Sequence, residues 1–151
     1  MATRLSNNFT LEEMTFSEQA LRMGIDNTPD EAAKANLVRL CETVLEPTRK
    51  LLGCPIHINS GYRSPAINTA VGSTATHSAH LDGRAADLVP IGVDLSVAFY
   101  MMRKSLDEWD RIILECNAWI HVSVPVEGEN PVREALVASG GPGNWTYTSV
   151  A

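Results

Sequence analysis

The chain has 151 residues and a formal net charge of -6, with 44% hydrophobic and 20% charged residues. This length and composition are typical of one globular domain with a buried core, here residues 1–151. The acidic balance argues against a protein that binds phosphate backbones through a basic stripe, so we expect no nucleic-acid partner. The three cysteines are an odd number without a C-x-x-C pair, which argues against a disulfide framework and a thiolate metal site.

The first residues, "MATRLSNNFTLEEM", lack the apolar stretch that a signal peptide needs. No window reaches the roughly 18 apolar residues of a membrane helix. We therefore expect synthesis in the cytoplasm without a signal peptide, and no membrane insertion. The composition gives no sign of an obligate dimer, so we expect a monomer.

Helices are predicted first along the chain. "FTLEEMTFSEQALRMG" begins with Thr10 and Glu13 at capping-box spacing and ends on Gly24, which predicts a short helix or a pair of helical turns. In the segment that follows, Thr28 is the expected cap and Pro29 takes the first helical position. Pro47 is expected to kink or interrupt this longer helix before a glycine ends it.

The second half alternates shorter elements. "PIHIN" alternates as a strand does, and "SPAINTAVG" predicts a short helix with Ser64 as cap, Pro65 at its first position and Gly72 at its end. Later patterns predict a helix capped by Asp94 and three further strands, listed by sequence as "AADLVP", "DRIILEC" and "WIHVSVP". The tail "REALVASGGPGNWTYTSVA" is ambiguous between a last strand and loose turns. This order of elements predicts an α+β fold with a mostly antiparallel sheet and flanking helices.

Three side chains form a candidate metal-binding set. His80 and Asp87 lie seven residues apart on either side of an Asp-Gly turn, and His121 lies on a predicted strand that can aim it. Two imidazoles and one carboxylate leave the fourth position of a zinc ion open for water, as catalytic sites require. The other histidines have simpler interpretations: His57 as part of an alternating strand, and His77 as a loop residue that can compete for metal or line a cleft.

A water nucleophile also needs a general base, and Glu115 is the candidate. With a two-residue turn, Glu115 pairs with Ile120 and lies on the face opposite His121. With a three-residue loop over 116–118, Glu115 pairs with Trp119 and lies on the face of His121. The proposed chemistry therefore predicts an odd-length loop or a bulge at this turn.

Three motifs bear a family resemblance: "SGYRSPAINTAVG", "SAHLDGRAADL" and "LECNAWIHVSV". Together, over about residues 56–124, they resemble the zinc D-Ala-D-Ala metallopeptidases, peptidase family M15, and most of all the short forms among bacteriophage endolysins. The fold is also similar to the signalling domain of Hedgehog proteins, which keeps a zinc site without a clear peptidase role. Trp119 stands where Hedgehog domains carry an extra histidine, which favours the peptidase branch.

The resemblance implies that His80, Asp87 and His121 bind Zn²⁺. It further implies that Glu115 is the general base and that Arg63 holds a carbonyl oxygen or carboxylate of the substrate. A guanidinium at that position supplies the electrostatic stabilisation that amide hydrolysis needs. The alternative for Arg63 is a structural salt bridge. As supporting or groove residues, the resemblance implies Tyr62, Ser78 and Trp119.

The implied function is hydrolysis of an amide bond in the stem peptide or cross-link of peptidoglycan. The implied enzyme is a phage endolysin-like endopeptidase, made in the host cytoplasm and acting on the cell wall after release. The alternatives are a D-Ala-D-Ala carboxypeptidase and a non-catalytic zinc-stabilised binding module. The L-Ala–D-Glu bond, the D-Ala–diaminopimelate cross-link and the terminal D-Ala are all compatible with the same metal site.

Overall fold

The computed structural model describes residues 2–71, 78–141 and 144–150. The helices in chain order are α1 Leu11–Thr15, α2 Glu18–Met23, α3 Glu31–Leu40, α4 Glu46–Leu52, α5 Pro65–Ala70 and α6 Leu95–Ser105. The strands are β1 Ile56–Ser60, β2 Ala85–Pro90, β3 Arg111–Glu115, β4 Trp119–Ser123, β5 Glu134–Gly141 and β6 Asn144–Ser149. No helix within the described ranges has both the length and the apolar character needed to cross a bilayer.

The six strands form one sheet in the order β1-β2-β4-β3-β5-β6. Every neighbouring pair is antiparallel except β3 and β5, which run parallel. The predicted α+β class with a mostly antiparallel sheet is therefore confirmed. The ambiguous tail forms the hairpin of β5 and β6, which extends the sheet at the edge beyond β3.

Side chains on the central strands alternate between two faces. Leu88, Ile112 and Ile120 are fully buried on the face that packs beneath the longer helices, including α6. Burying each such side chain contributes about 1.5–3 kcal/mol through the hydrophobic effect. Asp87 and His121 occupy the alternate positions on their strands and therefore lie on the opposite face, which is open. One face of the sheet thus packs against the hydrophobic core, and the other face is accessible to a functional site.

The predicted start of α1 is confirmed, whereas that of α3 is corrected. Thr10 and Glu13 form the predicted capping box of α1. For α3, the predictions of Thr28 as cap and of Pro29 at the first helical position were both wrong. The Asp30 carboxylate accepts the N–H of Ala33 at 2.8 Å, and the helix begins at Glu31. The Thr28 hydroxyl instead donates to Asp26. A carboxylate at this position caps the helix and also complements its dipole.

The helix that carries Pro47 is interrupted as predicted. A π-helical turn over Cys41–Leu45 separates α3 from α4, and the N–H of Glu46 bonds to the Cys41 carbonyl five residues back. The wider turn lies just ahead of Pro47, whose missing N–H and ring are incompatible with regular α-helical bonding. Gly53 ends α4 in the left-handed conformation.

Candidate metal centre

His80, Asp87 and His121 meet on the open face of the sheet. Asp87 in β2 is paired directly with His121 in β4. His80 lies on a 3-10 turn, Ala79–Asp82, that precedes β2. An Asp87 oxygen is 3.4 Å from His80 Nε2 and 3.0 Å from His121 Nδ1. One potential ligand atom from each residue lies within 4.8 Å of the others, a spacing that one metal ion can bridge.

A backbone carbonyl fixes the orientation of His80. The Gly61 carbonyl oxygen lies 2.7 Å from His80 Nδ1, and because a carbonyl only accepts, this nitrogen must carry the proton. Nε2 is then left as a lone-pair donor facing Asp87, the arrangement typical of metal-binding histidines. Gly61 itself has no room for a side chain, since a Cβ there would lie 2.3 Å from the Met14 carbonyl oxygen.

The electrostatics of the cluster favour an ionised carboxylate. Burial alone would raise the pKa of Asp87, but the imidazoles of His80 and His121 hold that pKa well below its usual range. His80 is 2% exposed, and the side chains of Asp87 and His121 are each 15% exposed. Two nitrogen donors and one anionic oxygen donor in a largely buried site are a suitable ligand set for a divalent cation.

Glu115 lies on the same face as His121. Residues 116–118 form a three-residue loop, and Glu115 pairs with Trp119, so the odd-length loop that the proposed chemistry predicted is confirmed. Cys116 and Asn117 take left-handed conformations (φ 49° and 53°) to close this turn. Burial raises the pKa of Glu115, with Asp87 adding to the effect and His121 opposing it. A carboxyl group with a raised pKa suits a proton carrier near neutral pH.

Arg63 lines the same cavity without a salt-bridge partner among the described residues. Among the arginines that line the cavity, Arg84 and Arg111 form salt bridges with Asp82 and Glu134. Arg63 forms no salt bridge within the described part of the chain, and its buried Nε has no hydrogen-bond partner there. Burial lowers its pKa, against the influence of Asp87. The structural salt bridge considered for Arg63 is therefore not found among the described residues.

The loop that carries Arg63 is held from several sides. Asn27 donates to the carbonyl oxygens of Thr15 and Tyr62 at 2.8 and 3.1 Å, and it accepts the Ser64 N–H at 2.8 Å. The backbone N–H of Arg63 bonds to the His80 carbonyl at 3.1 Å. Asn27 thus fixes the backbone on both sides of Arg63. The sequence gives no local signal for the contacts of Asn27 with Tyr62 and Ser64, because these residues lie 35 and 37 positions away.

The cavity around these residues has a volume of about 990 Å³. Ser78 and Trp119 line it, as predicted for groove residues, and Ser78 also caps the turn that carries His80. Tyr62, which we predicted as a supporting or groove residue, is not among the described residues that line the cavity. It is 8% exposed and packs in the hydrophobic core, so it supports the loop from behind rather than lining the cleft.

His57 and the cysteines are not members of the cluster within the described residues. His57 is exposed on β1, opposite Val89, and Cys116 lies at the turn after β3. Burial raises the pKa of the Cys41 thiol to about 12, which makes it inert as a nucleophile. His77, and the helix end predicted at Gly72, fall outside the described residues. α5 ends at Ala70 within the described part.

The comparisons with known proteins identify a family. The search of curated proteins returned no match to this chain. A protein-family model described as Peptidase M15 matches residues 7–123, which is more than half of the chain. The match includes the three clustered residues, Glu115 and Arg63, and ends before the hairpin of β5 and β6. This extent of agreement shows that the chain belongs to the peptidase M15 family.

Proposed function

We propose that this protein is a zinc-dependent peptidoglycan peptidase that hydrolyses an amide bond in the stem peptide or its cross-link. The observation that carries the proposal is the convergence of His80, Asp87 and His121 beside Glu115, in a cavity that also receives Arg63. Membership of a peptidase family makes hydrolysis of a peptide bond the reaction to which this arrangement is suited. Within that class we favour an endolysin-like endopeptidase.

The residues fit a zinc ion. Nε2 of His80, a carboxylate oxygen of Asp87 and an imidazole nitrogen of His121 would hold it. When bound, the ion supplies Lewis acidity that lowers the pKa of a water molecule and polarises a carbonyl group. The described residues supply three protein ligands. Three is the number found at catalytic zinc sites, whereas structural sites use all four positions.

Glu115 handles the proton in the proposed reaction. Its carboxylate takes a proton from the attacking water and passes it to the nitrogen of the leaving amine as the C–N bond breaks. Partial burial raises the pKa of Glu115, which brings its proton affinity closer to the value needed to both accept and release a proton near neutral pH. The backbone of β3 fixes its position, because Glu115 is the last residue of a paired strand.

Arg63 stabilises the negative charge that develops on the substrate. Its guanidinium lacks a salt bridge within the described residues, so it can donate hydrogen bonds to the oxyanion or to a substrate carboxylate without first breaking an ion pair. Preorganised donors of this kind lower the barrier to acyl transfer by about 2.7–4 kcal/mol. The contacts of Asn27 on both sides of Arg63 hold the loop in place for this role.

The lining of the cavity favours an endopeptidase over a carboxypeptidase. Ser78, the clustered residues and Tyr147 on β6 all line it. Because β6 is the edge strand beyond β3 and β5, we expect a substrate to extend past the metal-binding residues on the side of β6. We further propose that the protein acts on the cell wall after release from a host cytoplasm, with the stem peptide as its binding partner and as a monomer.

Digestion of purified sacculi followed by mass spectrometry tests this function. The zinc-loaded protein should release muropeptide fragments that carry a new amine and a new carboxyl group, and these masses identify the bond. Glu115→Ala should abolish release while the zinc content stays near one ion per chain. Retained release by that variant would contradict the proposed role of Glu115. No release by the wild-type protein, with zinc bound, would favour a zinc-stabilised binding module instead.

A further inference from the structure

Two exposed aromatic side chains stand at the far end of the cavity. Trp145 and Tyr147 on β6 both line it, and they are 41% and 53% exposed. They lie two residues apart on one strand and therefore on the same face of the sheet. The Peptidase M15 match ends at residue 123, so these two side chains lie outside the family match.

The strand register connects this aromatic pair to the proposed general base. Trp119, Glu115, Ala138 and Tyr147 are partners in one row across β4, β3, β5 and β6. The β5 partners of the two aromatic residues are small, Ala138 for Tyr147 and Gly140 for Trp145. No bulky β5 side chain therefore separates the aromatic rings from Glu115. Burial raises the pKa of Tyr147, and the nearby Glu115 carboxylate adds to this effect.

The polar tips of both side chains are available to a ligand. Neither Trp145 Nε1–H nor the Tyr147 hydroxyl has a hydrogen-bond partner among the residues that the structure describes. Each side chain thus presents an apolar ring face with one donor at its edge. A matching ligand has a flat apolar face bordered by hydroxyl or amide groups.

We propose that Trp145 and Tyr147 form a subsite that stacks on a pyranose ring of the glycan strand, so that the enzyme binds its stem peptide with the sugar attached. This inference rests on the proposed function. The substrate has two parts, the stem peptide and the sugar. The stem peptide offers methyl groups, carboxylates and an amine, and its carboxylates match the Arg63 guanidinium better than the aromatic pair. The C–H face of a hexosamine, with its hydroxyl and N-acetyl rim, matches the aromatic pair.

The distances are compatible with one substrate that reaches both places. β6 lies three strand spacings from β4, or about 14 Å, measured across the sheet. An extended chain advances about 3.3–3.6 Å per residue. About four linked units therefore connect a carbonyl at the metal-binding residues to a ring at β6. This is the scale of the separation between a stem-peptide bond and the sugar that carries the stem.

The test compares two muropeptides that differ only in the presence of the disaccharide. We expect the wild-type protein to hydrolyse the sugar-bearing form with a kcat/KM about tenfold or more above that of the sugar-free form, since each stacked ring contributes up to about tenfold. Trp145→Ala with Tyr147→Ala should bring this ratio close to one. A ratio of one in the wild type, or an unchanged ratio in the double variant, would overturn the subsite.

Matched variants separate stacking from damage to the hairpin. Thr146→Ala removes a side chain between the two aromatic residues on the other face of β6, and it should keep the wild-type ratio. Trp145→Phe and Tyr147→Phe retain a ring and should keep most of it. If Thr146→Ala lowers the kcat/KM ratio as much as the double alanine variant does, a stacking role is contradicted.

A binding measurement distinguishes failure of the subsite from failure of the proposed function. Saturation-transfer NMR with the disaccharide N-acetylglucosamine–N-acetylmuramic acid and Glu115→Gln should show contacts at sugar C–H groups, and these should disappear in the double alanine background. Sugar contact without hydrolysis by the wild type would retain the subsite and reject the peptidase function. Absence of sugar contact would reject the subsite. A concentration-dependent dimer that only the aromatic pair supports would assign β6 to self-association instead.

Discussion

The two ends of the cleft are built in different ways. At the metal-binding end, His80 is almost fully buried and bonded to Gly61, and the backbone around Arg63 is held by Asn27. At the other end, all six residues of β6 are exposed, and its aromatic side chains have no hydrogen-bond partners in the described part of the chain. Proton transfer needs atoms fixed to within fractions of an ångström, whereas stacking on a sugar tolerates small displacements. The contrast therefore separates an end suited to chemistry from an end suited to recognition.

Substitution of Glu115 should have the largest effect on turnover. Glu115→Gln keeps the shape of the side chain but cannot accept the proton, so we expect kcat to fall by about 10²–10⁴-fold. Zinc content, measured by mass spectrometry of the native protein, should remain that of the wild type. A variant that loses its zinc together with its activity would instead place Glu115 among the groups that hold the metal.

Substitution of Arg63 should have the second-largest effect on turnover. Arg63 has no salt bridge among the described residues, so its guanidinium is available to the substrate. Arg63→Ala removes this group, and we expect kcat/KM to fall by about 10²–10³-fold. Arg63→Lys should recover only part of this, because an ammonium group lacks the planar fork of donors. Arg111→Ala, which breaks the exposed ion pair with Glu134, is the matched control and should change kcat/KM much less. Equal losses in the Arg63 and Arg111 alanine variants would contradict the special role of Arg63.

Two glycines offer a direct comparison of the two ends. Gly61→Ala places a Cβ against the Met14 carbonyl and displaces the acceptor of His80, so zinc affinity should fall by about 10–100-fold. Gly140→Ala strains the hairpin, since Gly140 has φ 101° and its Cβ would meet the Asn144 carbonyl. Zinc titration should show no change in that variant. A similar loss of zinc affinity in both would show that the two ends are not independent.

Asn27 should have the smallest effect of this series. Asn27→Ala removes three hydrogen bonds around the Arg63 loop, and we expect a loss of about 1–3 kcal/mol in the free energy of unfolding. If Asn27 positions Arg63, kcat/KM of the folded variant should also fall, by about tenfold. In the Arg63→Ala background, Asn27→Ala should then lower kcat/KM only a little further. Additive losses of kcat/KM in the double variant would indicate that Asn27 acts on stability alone.

Local patterns predicted most of the elements near the metal-binding residues. The capping box at Thr10 and the interruption at Pro47 each depend on a short stretch of sequence. The pairing of Glu115 with Trp119 was one of two registers open to the strand pattern, and the proposed chemistry selected it. The cap of α3 was misassigned, because Thr28 and Asp30 are both good caps and only the folded chain shows which side chain faces the helix.

Long-range contacts account for what the sequence could not predict. The parallel pairing of β5 with β3 joins residues more than twenty positions apart, so the sequence of the tail alone does not predict that it extends the sheet. The position of Trp145 beside the cavity follows from that pairing. Asn27 is similar, since a single amide in a loop carries no periodic signal and its partners are distant in sequence.

Diffraction at the zinc absorption edge, from crystals of the zinc-loaded protein, tests the metal site most directly. We predict one anomalous peak per chain, within coordination distance of His80 Nε2, an Asp87 oxygen and a His121 nitrogen, with Glu115 beside it but not bound to it. A zinc-loaded crystal with no peak at these three side chains, or with its peak elsewhere, would contradict the proposed metal centre and the hydrolysis that depends on it.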